Sequence, residues 1–75
     1  MNRSEFLNNL QTRTSCPELV ENAELLDLAD FDSLMIMQIV AAFKNLLNLN
    51  VTMNDINVCN TVSDILDLGE ASYDK

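Results

Sequence analysis

The residue best placed to do chemistry is Ser33. It lies in the run Leu26-Asp27-Leu28-Ala29-Asp30-Phe31-Asp32-Ser33-Leu34, where an acidic loop gives way to a long apolar segment. A serine that opens a helix stands among unpaired backbone N–H groups at the positive end of the helix dipole, and both favour a phosphate joined to it. Asp30 and Asp32 partly oppose such a group. Their use would then be to meet the basic groups or the metal of a modifying enzyme. The plain alternative is that Ser33 is an ordinary first-turn residue, and an Asp-Ser-Leu triplet alone is weak evidence.

Other chemistries find no support. A serine nucleophile needs His or Lys within hydrogen-bond reach. The chain has no His, and its lysines are Lys44, nearly three turns along the same helix, and Lys75 at the tail. A self-contained serine hydrolase is therefore excluded. Asp27, Asp30 and Asp32 lack the alternating ligands, the turn glycine and the closing glutamate of a calcium loop. Without His, Cys16 and Cys59 do not make a conventional zinc site, and two thiols do not make a disulfide framework. Cys59, between Val58 and Val62, reads as a small buried hydrophobe. No Gly-rich phosphate loop exists, and four basic residues cannot form a nucleic-acid patch.

The elements that must position Ser33 are helical. Asn2, with Glu5 three residues on, caps a first helix over about Ser4 to Arg13, with Phe6, Leu7 and Leu10 on one face. A long connection follows to Asp32. Ser15-Cys16-Pro17-Glu18 predicts a short helix over Pro17 to Asn22. Leu19, Val20, Leu25, Leu26 and Leu28 are expected to anchor this connection to the core, because a structureless loop of such length is unusual. Asp32 then caps a helix from Ser33 to Leu47 or Asn48, with a core stripe of Ile36, Ile39, Val40, Phe43, Leu46 and Leu47. Leu34, Met37 and Ala41 lie on a neighbouring face and Met35 near the first turn. They exceed what the core needs, so Met35, Met37 and Ala41 are expected to form a docking patch. Thr52-Met53-Asn54-Asp55 opens a short helix, and Thr61-Val62-Ser63-Asp64 opens the last, which Gly69 stops. Val62, Ile65, Leu66 and Leu68 are expected to face inward, and residues 70–75 to fray.

The 75 residues fit one domain, with no internal repeat. The expectation is an all-α fold: a small antiparallel helical bundle of three main helices plus one short helix, with a long first loop. A net charge of -8 repels nucleic acid and anionic membrane and attracts basic protein surfaces. No apolar run is long enough to span a membrane, and the first residues lack a signal-peptide core. A cytoplasmic monomer with no membrane insertion is expected.

Together these residues resemble the acyl carrier protein family, within the superfamily that includes peptidyl and D-alanyl carrier proteins. Asp27-Leu28 and Phe31-Asp32-Ser33-Leu34 match its Asp-Leu-Gly-x-Asp-Ser-Leu type motif, Val51-Thr52 stands at its turn, and Asn60-Thr61-Val62 opens its last helix. The interval from Ser33 to Val62 aligns without a gap. The resemblance implies an acyl-carrier-like bundle that is not itself an enzyme. It implies that Ser33 receives 4′-phosphopantetheine from coenzyme A through a separate phosphopantetheinyl transferase. It further implies an acyl or aminoacyl group carried as a thioester and supplied by a loading ligase or synthase. Asp32 and Leu34 then belong to the recognition motif, and Ile39, Phe43, Leu47 and Val62 to the core.

Two departures stand out. The motif glycine is missing, and Ala29-Asp30 makes the loop one residue longer. Fatty-acid carriers dock through an acidic second helix, whereas the corresponding positions here are Met35, Gln38, Lys44 and Asn45. A specialised carrier for a dedicated pathway is the expectation. The alternative is an unmodified carrier-like module that only binds a protein partner.

Overall fold

The computed structural model describes residues 1–74. Four α-helices follow the order α1 (Arg3–Thr14), α2 (Ser33–Leu47), α3 (Met53–Asn57) and α4 (Val62–Asp67). Two 3₁₀ turns, Leu25–Asp27 and Glu70–Ser72, complete the regular structure. An isolated antiparallel bridge, Glu24 to Thr61, is the extent of β pairing among the described residues.

Local signals start most of these elements. Asn2 accepts from the Glu5 N–H while Glu5 accepts from the Asn2 N–H, a reciprocal box that satisfies two otherwise unpaired donors. The same box recurs at Thr52 with Asp55 and at Thr61 with Asp64. α1 and α2 each end in a left-handed residue, Ser15 and Asn48, both at φ 55°. Behind them Cys16 donates to the Gln11 carbonyl and Leu49 to that of Phe43, closing both helix ends.

The core gathers one face of each helix. Phe6, Ile39, Ala42, Phe43, Ile56 and Leu66 are completely buried. The Phe6 and Phe43 rings lie 4.8 Å apart, which sets the start of α1 against the end of α2 and makes the pair antiparallel. Ala42 is the small residue on the buried side of α2.

The first connection departs from expectation. No helix forms over Pro17 to Asn22. The Glu21 and Ala23 carbonyls instead accept from the Ser63 and Val62 N–H groups, the unpaired donors at the start of α4. Leu25 donates to the Asn60 carbonyl across the neighbouring bridge. With the chain pinned to α4 at Glu21 and Ala23, the residues before it form isolated turns, Leu19 donating to the Cys16 carbonyl and Val20 to that of Glu18. Leu19 and Leu25 are buried as expected and Leu28 half-buried. Val20 and Leu26 are not anchors: they are 43% and 99% exposed, and at Leu26 the cause is the 3₁₀ turn that buries Leu25 and turns its neighbour outward.

Two corrections concern the last segment. Leu68 leaves α4 exposed rather than inward. Residues 70–74, expected to fray, fold back onto the bundle: the Tyr73 hydroxyl donates to the Leu66 carbonyl at 2.6 Å and its ring lies 5.9 Å from that of Phe6. Lys75 lies outside the described residues. Gly69 has an ordinary φ of -103°, so its value is space. A Cβ there would stand 2.9 Å from Leu47 and 3.2 Å from Phe43.

Candidate functional site

Ser33 is the first residue of α2 and is exposed. Asp32 is extended at φ -127° and its carboxylate accepts from the Met35 N–H at 3.0 Å. Its carbonyl accepts from Ile36. Those two bonds use the third and fourth N–H groups of the helix. The N–H groups of Ser33 and Leu34 have no intrahelical acceptor and stay open toward the space around the serine. Among the described residues the Ser33 hydroxyl makes no hydrogen bond, so it is free to be substituted.

The end of α1 lies beside this helix start. Thr14 and Ser15 line a shallow depression with Asp30, Asp32, Leu34 and Gln38. Half-buried Phe31, whose N–H donates to Leu28, holds the loop down just before the serine. Asp27, Asp30 and Asp32 are exposed, and none forms an ion pair among the described residues. Lys44 stands eleven residues along α2, roughly 16 Å from Ser33 along the axis, and cannot act as its base.

The expected docking patch is only partly on the surface. Met37 and Ala41 are exposed, and Leu34 with them. Met35 is corrected: at 4% exposure it belongs to the core. The buried residues of α2 are Met35, Ile36, Ile39, Ala42 and Phe43, a stripe with steps of one, three and four that takes in the first turn. Sequence reasoning placed Met35 one face too far round.

The cysteines are free thiols. Burial pushes both up from their ordinary value, helped at Cys16 by Glu18 and at Cys59 by Asp64. Cys59 is half-buried and donates to the Asp55 carbonyl, so it packs as expected. A raised pKa favours the protonated thiol over the nucleophilic thiolate at both positions. Among the described residues no group of side chains could hold a metal ion, and no helix is long and apolar enough to cross a membrane.

One polar centre escaped sequence reasoning. Arg3 reaches Glu21, Asp67, Glu70 and Ser63, tying α1 to the first loop, α4 and the last turn. It lies at the end of α1 away from Ser33.

The geometry therefore offers a free hydroxyl on a helix N-terminus with two open N–H groups and no catalytic base. That arrangement suits a phosphate ester and does not suit self-contained catalysis. A family profile described as the phosphopantetheine attachment site matches residues 5–68. No curated protein and no solved structure matches significantly.

Proposed function

Because the chain belongs to the phosphopantetheine attachment-site family, we propose that Ser33 is the residue that bears its arm and that the protein serves a specialised biosynthetic pathway. Members of this family are non-catalytic carriers of covalent 4′-phosphopantetheine, and this chain is one of them. The group supplies a thiol on a flexible tether, able to carry cargo as a thioester.

The observation that carries the assignment to Ser33 is its position as the exposed first residue of a capped helix. Asp32 occupies the cap and leaves the Ser33 and Leu34 N–H groups to face a phosphodiester. The helix dipole favours that charge by about 0.3–1 kcal/mol, offset in part by Asp30 and Asp32. When the Ser33 Oγ–phosphorus bond forms, the pyrophosphate bond of coenzyme A breaks and adenosine 3′,5′-bisphosphate departs with the bridging oxygen. The hydroxyl proton passes to a base of the transferase, since this chain has none in reach. Leu34 sits next to the reacting hydroxyl and is exposed for recognition. The rest of the bundle holds this helix start still.

The proposal includes a monomeric domain working in the cytoplasm, where coenzyme A is available. Its cargo is an acyl or aminoacyl group delivered by a dedicated ligase or synthase. The departure of α2 from the acidic pattern of fatty-acid carriers supports the specialised role. Fragmentation of the peptide that holds Ser33, after incubation with coenzyme A and a phosphopantetheinyl transferase, tests the assignment. Phosphopantetheine on Ser33 is the expected result; its appearance on another serine would overturn the proposal.

A further inference from the structure

The end of α1 and the start of α2 lie side by side, and each brings unused backbone groups. At the start of α2 the Ser33 and Leu34 N–H groups are open, as Asp32 takes only the next two. At the end of α1 the left-handed Ser15 turns the chain away. Its N–H and that of Cys16 close the Thr12 and Gln11 carbonyls. The Arg13 and Thr14 carbonyls receive no hydrogen bond among the described residues. Open donors and open acceptors therefore stand beside one depression, lined from α1 by Thr14 and Ser15 and from α2 by Leu34, Met35 and Gln38.

Gln38 is half-buried in that lining. Its carboxamide can both donate and accept, and it bonds to no group among the described residues. It stands five residues beyond Ser33, roughly 7.5 Å along the helix axis. That is about the extended length from the phosphorus of a phosphopantetheine arm to its first amide nitrogen. The order of groups also matches. The phosphate accepts where the open N–H groups are, the two methyl groups come next, and the amide follows with one donor and one acceptor. Leu34 keeps 63% of its surface exposed beside Ser33, area that those methyl groups can cover.

We infer that the phosphopantetheine arm, once joined to Ser33, rests in this depression between α1 and α2. Its first amide N–H donates to the Thr14 carbonyl, and the carbonyl of the same amide accepts from the Gln38 carboxamide. This deepens the attachment reading and rests on it. A tethered group meets its site at an effective concentration of about millimolar, so one or two hydrogen bonds suffice to hold it there. The cargo then leaves the bundle over α1 and the first loop, not along the seam between α2 and α3. On that other side Thr52 and Asp55 are already paired in the box that caps α3, and Ile56 is completely buried.

The test uses the full chain, isotopically labelled and loaded with unlabelled coenzyme A by a phosphopantetheinyl transferase. Intact mass verifies that one arm is in place, and melting curves verify folding. Isotope-filtered NOE spectra then read contacts between arm and protein. Cross-peaks from the methyl and first amide protons of the arm to Thr14, Ser15 and Gln38 are expected. Gln38→Ala should weaken the peaks to Thr14 and Ser15 by about twofold or more, the weight of one hydrogen bond. Gln38→Glu keeps the length of the side chain but cannot donate, and should weaken them as much. Cross-peaks to Met53 or Ile56 of α3 instead, no cross-peaks, or peaks indifferent to both variants overturn this inference alone, because the mass shows the arm present. If coenzyme A does not load Ser33, the attachment reading fails and the inference fails with it.

Discussion

Replacing Arg3 with Met should cost this protein a large part of its stability. The guanidinium donates through Nε and Nη2 to Glu21 at 3.0 and 2.9 Å and through Nη1 to Asp67 and Glu70 at 2.8 and 2.7 Å. Nη2 also reaches the Ser63 carbonyl and hydroxyl at 3.2 and 3.0 Å. The Arg3 side chain is 24% exposed, but its three carboxylate partners are 50–66% exposed. Solvent screening therefore limits each ion pair to a few tenths of a kcal/mol. The partly buried bonds to Ser63 add about 0.5–1.5 kcal/mol each. Met keeps the apolar stem in place, so the loss is of charge and hydrogen bonds. The sum is about 2 kcal/mol, which in a domain this small lowers Tm by about 8–15 °C. Thermal unfolding followed by circular dichroism reads the shift directly. The gap between wild type and variant should narrow in about 0.5 M salt, where screening removes most of the exposed pairing. A shift below about 2 °C, or a gap indifferent to salt, would refute the reasoning.

Three further outcomes follow from the same geometry. Asp32→Ala should cost about 1 kcal/mol by removing the α2 cap, whereas Asp32→Asn keeps a capping oxygen and should leave stability nearly unchanged. Equal melting shifts for the two would deny Asp32 its cap. Gly69→Ala should destabilise by about 1–2 kcal/mol despite its ordinary φ, because Phe43 is fully buried and cannot yield to the new methyl group; a stabilised variant in urea unfolding would show that Leu47 and Phe43 give way freely. Arg3 holds the Glu21 carboxyl below the usual range, and the Asn60 and Thr61 N–H groups do the same for Asp64. A carboxylate with a depressed folded-state pKa stabilises fully above its unfolded value, and that stability is lost as pH falls through the folded value. Acid unfolding should therefore be shallower in Asp64→Asn, which is also less stable at neutral pH; identical pH profiles would contradict the assignment.

Much of the fold is written in short-range signals. The boxes at Asn2, Thr52 and Thr61 are complete within four residues, and Asp32 caps α2 in the same local way, so the start of every helix was legible. The stripe of α2 was legible in part: Ile36, Ile39 and Phe43 are buried as expected, whereas Val40, Leu46 and Leu47 are half-buried and Met35 and Ala42 complete the buried face. What failed depended on distant partners. Pro17 to Asn22 carries a helix-start pattern, yet the chain is pinned at Glu21 and Ala23 to α4 some forty residues later. Leu26 and Met35 have the same chemistry as their buried and exposed neighbours, and only the bridge at Glu24 and the packing of α1 on α2 decide which way each turns. The Arg3 centre joins residues 18 to 67 positions apart, and no pattern in the chain links them beforehand. Tyr73 docks for the same reason, through a carbonyl that any α4 would expose. The helix start at Ser33 was readable because its parts are contiguous: cap, hydroxyl and open N–H groups fall within three residues.

The central claim is that Ser33 bears the arm. Intact-protein mass spectrometry after incubation with coenzyme A and a broad-specificity phosphopantetheinyl transferase tests it most directly, beside a Ser33→Ala variant shown to be folded by its melting curve. The account predicts that wild type gains one phosphopantetheine and Ser33→Ala gains none. A gain on the variant, or none on wild type with several transferases, would contradict it.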